Sequence, residues 1–188
     1  MGKNISHKVG KGITPEAFIR QMEKNQDIFL SNYKNFSMDE KDLTLLKNLC
    51  NDKDIRCEII AADWCGDVAR NVPVIFRLME VVNIPAEVFI LEENFDLIDQ
   101  FLTLGGRSVP VVLFTNRNGD VLAQWGPRPA YIQEPMVEFK HLQLDPNSEE
   151  YKNKVKDVYT EIMRRYGEGT EHHQLIIDEI RDILAQIN

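Results

Sequence analysis

The stretch that most constrains this chain runs over residues 55 to 73, IRCEIIAADWCGDVARNVP. A short apolar run from Ile55 to Ala62 carries Ile55, Ile59 and Ile60 and breaks at Asp63 and Trp64, which predicts a buried strand. A helix then opens near Cys65. At such a junction the unpaired backbone N–H groups and the positive end of the helix dipole favour a negative charge, and a thiolate is one. A lone cysteine near a strand end can also be just a small buried hydrophobe. The Trp-Cys-Gly setting and the helix start favour a reactive sulfur.

The chain has 188 residues with 43% hydrophobic content, enough for one domain with a sizeable core. A formal net charge of -8 and the lack of a long basic block argue against nucleic acid or an anionic membrane as partner. The basic first dozen residues, MGKNISHKVGKG, lead into no apolar segment, so neither a signal peptide nor a membrane span is expected. The expected location is the cytoplasm, where Cys50, Cys57 and Cys65 would remain thiols.

Three domain segments are expected: a flexible tail over 1–12, a domain with N-terminal helices over 13–145, and a C-terminal helical extension over 146–188. The first helix opens at Thr14-Pro15-Glu16, with Thr14 as N-cap and one apolar face running from Phe18, Ile19 and Met22 to Phe29 and Leu30. A second follows Ser37, with Glu40 completing a capping box, and buries Leu43, Leu46, Leu49 and Cys50. No convincing strand precedes them. After the cysteine helix come a parallel strand from Ala86 to Leu91, a helix from Asn94 to Leu104 ended by Gly105-Gly106, and a strand from Val111 to Phe114. Asn118-Gly119-Asp120 turns that strand into Val121 to Trp125. A helix is expected near Ala130, a boundary at Asp145-Pro146-Asn147-Ser148, and helices over Glu149–Arg165 and Thr170–Ile187.

Trp64-Cys65-Gly66 after a hydrophobic strand resembles the active-site turn of the thioredoxin superfamily. Pro73, eight residues after Cys65, stands where that family kinks its active-site helix, and Val109-Pro110 stands where it has a cis-proline. The resemblance implies a thioredoxin-like α/β fold, a central mixed sheet of about four strands flanked by helices, with helical extensions at both ends. The chain departs from the family at Cys65-Gly66-Asp67-Val68, where valine replaces the second cysteine. WCGD, with GGRSVP and WGPRP downstream, is similar to a one-cysteine bacterial branch of thioredoxin-like proteins.

The resemblance makes Cys65, Trp64, Gly66, Asp67 and Pro110 the candidate catalytic residues, with Val109, Arg107 and Arg128 as candidate substrate-binding residues. Val109 would pair with an extended substrate as an added strand. Asp63 and Asp67 would raise the thiol pKa, whereas Arg107 and Arg128, if the loops bring them near, would lower it. Asp67 is also suited to cap its own helix. Cys57 is no resolving partner: five strand steps of about 3.3 Å each separate it from Ala62, against a disulfide limit of about 7 Å between Cα atoms. Cys50 is expected at the same far end.

His172-His173 point to different faces, and no His/Cys cluster has ligand spacing, so no metal and no cofactor are expected. The first functional reading is monothiol exchange through Cys65 with a disulfide-containing protein or a low-molecular-weight thiol. A redox-inert binding module and a peroxide or electrophile sensor are the alternatives. The C-terminal helices are expected to pack on the domain, on a partner or in a homodimer.

Overall fold

A computed structural model describes residues 2–51 and 53–187. Its centre is a four-stranded sheet in the order β2-β1-β3-β4. β1 (Arg56–Ala61) pairs parallel with β2 (Ala86–Ile90) and antiparallel with β3 (Val111–Thr115), which pairs antiparallel with β4 (Val121–Trp125). The β1 residues from Cys57 to Ala61 are all buried, the usual reason a central strand reads as a nearly unbroken apolar run. Glu58 is the exception in that run. Burial, reinforced by Glu87 and opposed by Arg56, pushes its carboxyl up to about 7.

The long helix α4 (Gly66–Val82) links β1 to β2 and buries Val68, Val72, Ile75, Leu78 and Met79. It ends where Asn83 turns left-handed at φ 57°. α2 (Gln26–Lys34) packs along it, and α8 (Glu171–Gln186) packs on it and on α3 (Glu40–Cys50). Pro73 has no N–H to give the Ala69 carbonyl, and Asn32 of α2 donates its Nδ2 there at 3.4 Å. α6 (Ala130–His141) repeats the device, for Pro135 frees the Tyr131 carbonyl and Arg165 Nη1 donates to it at 2.5 Å. α6 pairs with α7 (Glu149–Tyr166) around a small second core of Ile132, Ile162 and Tyr166.

Several expectations are corrected. The first predicted helix is two, α1 (Pro15–Gln21) and α2, because Asn25 is left-handed at φ 56° and the Asp63 carboxylate accepts the N–H groups of Glu23 and Lys24 at 2.8 and 3.1 Å. α3 is capped by Asp39, whose side chain accepts from Asp42 N at 2.7 Å, and not by Ser37. Leu43 and Leu49 are only half-buried on it. The helix expected from Asn94 to Leu104 shrinks to the four-residue α5 (Phe95–Ile98), preceded by a 3-10 turn at Leu91–Glu93; beyond it Leu104 turns left-handed at φ 51° and Thr103 and Gly106 close a tight bridge.

The N-terminal segment, expected to be loosely held, is fastened across the sheet. Ile5 is fully buried, its N–H bonds Gly119 O at 2.8 Å, and Lys3 O accepts from Val121 N at 2.9 Å. Gly119 stands at φ 77°, where a Cβ would lie 2.3 Å from Ser6 N. Ahead of the helices no strand forms among the described residues; Ile13 makes only an isolated bridge to Val88. At the other end Ile176, Ile177, Ile180 and Leu184 of α8 are fully buried in the main core. No helix among the described residues is long and apolar enough to cross a membrane.

Candidate functional site

Cys65 is the N-cap of α4, in extended geometry at the end of the turn that leaves β1. Its Sγ is half-buried and donates a hydrogen bond to the Val109 carbonyl at 3.2 Å. The Val109-Pro110 peptide is cis, and so is Gly126-Pro127, which the sequence had not suggested. The two segments press together: Gly126 stands at φ 113°, and a Cβ there would lie 2.3 Å from Pro110 O. Only glycine fits that approach.

The thiol is held above its ordinary pKa. Burial is the largest cause and the Asp67 charge the next; the backbone N–H groups of Val68 and Asp67 and the Arg128 charge pull the other way. The helix start therefore favours the thiolate as anticipated, but desolvation and a neighbouring acid outweigh it. At neutral pH the sulfur is a thiol.

Asp67 does not cap its helix with its side chain. Arg128 grips it from Nε at 2.9 Å and Nη2 at 2.6 Å, and the Tyr166 hydroxyl donates to Oδ1 at 2.8 Å. Arg128 also donates to Gln133 Oε1 at 2.5 Å, which fixes the loop between β4 and α6. Asn71, fully buried on α4, donates to the Tyr166 hydroxyl at 2.8 Å and to Pro127 O at 2.9 Å. Burial and the Asp67 charge push the Tyr166 phenol well above its ordinary value, so it remains a donor.

Arg107 is not brought to the sulfur. It forms a two-pronged pair with Asp99 at 2.6 and 2.8 Å and lies over the Phe95 ring, because the shortened helix turns it along the surface. Asp63 is likewise spent on the α1–α2 break. Trp64 is half exposed, with Nε1 donating to Glu92 at 2.6 Å. Gly66 stays open beside the sulfur, since a Cβ there would meet only the Arg70 guanidinium at 3.2 Å. Cys57 and Cys50 are buried free thiols, both pushed up by burial.

Sequence reading missed Asn71 and Tyr166. Asn71 did leave a signal: it falls three residues after Val68 and four before Ile75, on the apolar face of α4, where a polar side chain needs a buried partner. Tyr166 left none, being 99 residues from the carboxylate it touches. His172 and His173 are buried at the start of α8, bonded through Nε2 to Arg70 O at 3.2 Å and to Asn32 Oδ1 at 2.9 Å. Among the described residues no group of three or more His, Cys, Asp and Glu could hold a metal ion.

A family model described as thioredoxin matches residues 12–150. No curated protein matches the sequence. Among solved structures the chain is similar to an HIV epitope-scaffold, 14% identical with a TM-score of 0.67, covering 97% of this chain and 98% of that one. It is also similar to a protein of unknown function from Pseudomonas aeruginosa, 16% identical with a TM-score of 0.56, covering 87% of this chain and 99% of that one. At these identities the likeness to solved structures is one of fold.

Proposed function

The chain belongs to the thioredoxin family, and from that premise we propose that it is a monothiol protein in which Cys65 exchanges with an external disulfide. The carrying observation is the sulfur's setting, at the N-cap of α4 and 3.2 Å from the Val109 carbonyl beside Pro110. Once the thiol proton has gone to solvent, a sulfur electron pair attacks one sulfur of R–S–S–R. A bond from Cys65 to that sulfur forms, the R–S–S–R bond breaks, and RS⁻ leaves. An external thiolate then attacks the mixed disulfide and restores Cys65.

Val68 occupies the place of a second cysteine and is fully buried, so the mixed disulfide waits for that external thiol. This reading puts the protein in the cytoplasm, where reduced thiols are plentiful. The raised thiol pKa makes exchange slow at neutral pH and faster as pH rises. Intact mass after incubation with hydroxyethyl disulfide at alkaline pH tests this. One adduct is expected on Cys65, stable after the reagent is removed, cleared by added thiol, and absent in Cys65→Ser.

The raised pKa also favours a second reading, a redox-inert module that uses the edge beside Val109 to dock an extended segment. It predicts no adduct at any pH and binding unchanged in Cys65→Ser.

A further inference from the structure

Two hollows of opposite charge have residues near Cys65 in their walls, and Cys65 itself lines neither. On the Trp64 side a hollow of about 290 Å³ has Glu23, Asp63, Glu92 and Glu93 in its wall. On the other side, a cavity of about 160 Å³ is lined by Arg128, Lys140, Ser108, Tyr151 and Tyr159 among others, and by no carboxylate. Asp67 offsets the Arg128 charge from outside the wall, so Lys140 is the unpaired cation there and no acid faces it from the lining. The cavity adjoins the sulfur by two routes. Ser108 precedes Val109, whose carbonyl takes the Cys65 hydrogen bond, and Arg128 grips Asp67, two residues after Cys65.

The wall has unused hydrogen-bonding capacity. A guanidinium carries five N–H donors. Arg128 uses one each from Nε, Nη1 and Nη2 on Asp67 and Gln133, which leaves one on each terminal nitrogen without a partner among the described residues. The Lys140 ammonium and the hydroxyls of Ser108, Tyr151 and Tyr159 have no hydrogen-bond or ion-pair partner among the described residues either. Cations and hydroxyl donors around a cavity without acids form a site for an anionic oxygen group. At about 160 Å³ the cavity holds several waters' worth of volume, at roughly 30 Å³ each, but is smaller than a whole small-molecule site. It takes one arm of a ligand.

The geometry points to this cavity as the seat for a carboxylate arm of a small disulfide or thiol, with Arg128 and Lys140 as the specificity-determining residues. The sulfur end of this assignment rests on the exchange reading of Cys65; the carboxylate end does not. With the arm seated, the ligand's sulfur lies toward Cys65, and the acidic hollow beyond Trp64 disfavours the reverse orientation. The exchange is the one written above, with R bearing the carboxylate and RS⁻ leaving to take a proton from water.

Three probes test the assignment. Glutathione disulfide carries carboxylates, cystamine carries ammonium groups and no carboxylate, and S-methylglutathione carries carboxylates but cannot exchange. In Lys140→Glu the rate of Cys65 adduct formation with glutathione disulfide should fall roughly fivefold, the scale expected for reversing one exposed charge, while the cystamine rate holds or rises. S-methylglutathione should give saturable shifts of the Ser108 and Tyr159 amide signals in wild type that are lost in Lys140→Glu. Binding of S-methylglutathione without adducts from either disulfide would end the exchange reading and leave the carboxylate site standing. No binding of S-methylglutathione, with equal effects of Lys140→Glu on both disulfides, would overturn the site whether or not Cys65 exchanges.

Discussion

The two flanks of Cys65 are built from different distances along the chain. On the Trp64 flank, Asp63 and Trp64 lie within two residues of the cysteine, Glu92, 28 residues after Trp64, receives the indole N–H, and Asp63 reaches back to Glu23 and Lys24. The Arg128 flank is assembled from afar, with Arg128 61 residues and Tyr166 99 residues beyond Asp67. On the first flank Trp64 and Glu92 are exposed, and a surface contact of this kind contributes little to stability, whereas Asp63 is half-buried. The distant flank is buried, ties four parts of the chain together, and supplies both the acid that raises the thiol pKa and the cation that lowers it. The motif itself thus shows the acid that raises the thiol pKa, Asp67, but not the distant Arg128 and Tyr166 that hold that acid in place.

The sharpest way to break this contrast is Arg128→Met. It leaves the Asp67 carboxylate largely buried with only Tyr166 for company, and a broken buried pair costs about 3 kcal/mol. Urea unfolding should show that loss and cysteine alkylation a further rise in thiol pKa; an unchanged midpoint would mean the pair is not structural. Asp67→Asn acts in the opposite sense on the sulfur, removing the acid and freeing the Arg128 charge. Cys65 alkylation at neutral pH should speed up about tenfold, one pKa unit. No acceleration would remove Asp67 from the account.

Acid sensitivity should come from α8, which packs on α4 behind the cysteine. Burial, with help from the His172 charge, lowers His173 from 6.5 to about 4 in the fold. Its contribution is complete above pH 6.5; as pH falls from 6.5 to about 4 the unfolded chain takes the proton first, so stability drops across that window. The loss should approach about 1.4 kcal/mol per pH unit for this one proton and disappear in His173→Gln, as read from urea midpoints. The smallest effect belongs to the exposed flank: Glu92→Gln should change stability by less than about 0.5 kcal/mol. It should alter only Trp64 fluorescence, and a large stability loss would erase the contrast.

The same division governs what the sequence disclosed. β1, the Cys65 turn, α4 and the β3–β4 hairpin were legible because apolar periodicity and turn residues are signals read within a few positions. The α1–α2 break was not, since the carboxylate that takes the Glu23 and Lys24 N–H groups belongs to Asp63, about 40 residues on. Ser37 with Glu40 matched a capping box, yet the Asp42 N–H bonds Asp39, a cap that pattern did not single out. Within the candidate site Trp64, Cys65, Asp67, Val109, Pro110 and Arg128 come together around the sulfur. Arg107 does not, because Asp99 eight residues earlier holds it away. Charge alone gave Arg107 and Arg128 equal standing; the backbone decides which one reaches Asp67.

The most direct test is the rate of Cys65 mixed-disulfide formation with hydroxyethyl disulfide, a small uncharged reagent, followed by intact mass across pH, with Cys65→Ser as the control. The account predicts a single adduct whose rate climbs without levelling off until pH exceeds the free-thiol value of about 8.5. A plateau well below that pH would contradict a thiol held protonated by burial and Asp67, and no adduct at any pH would end the monothiol reading.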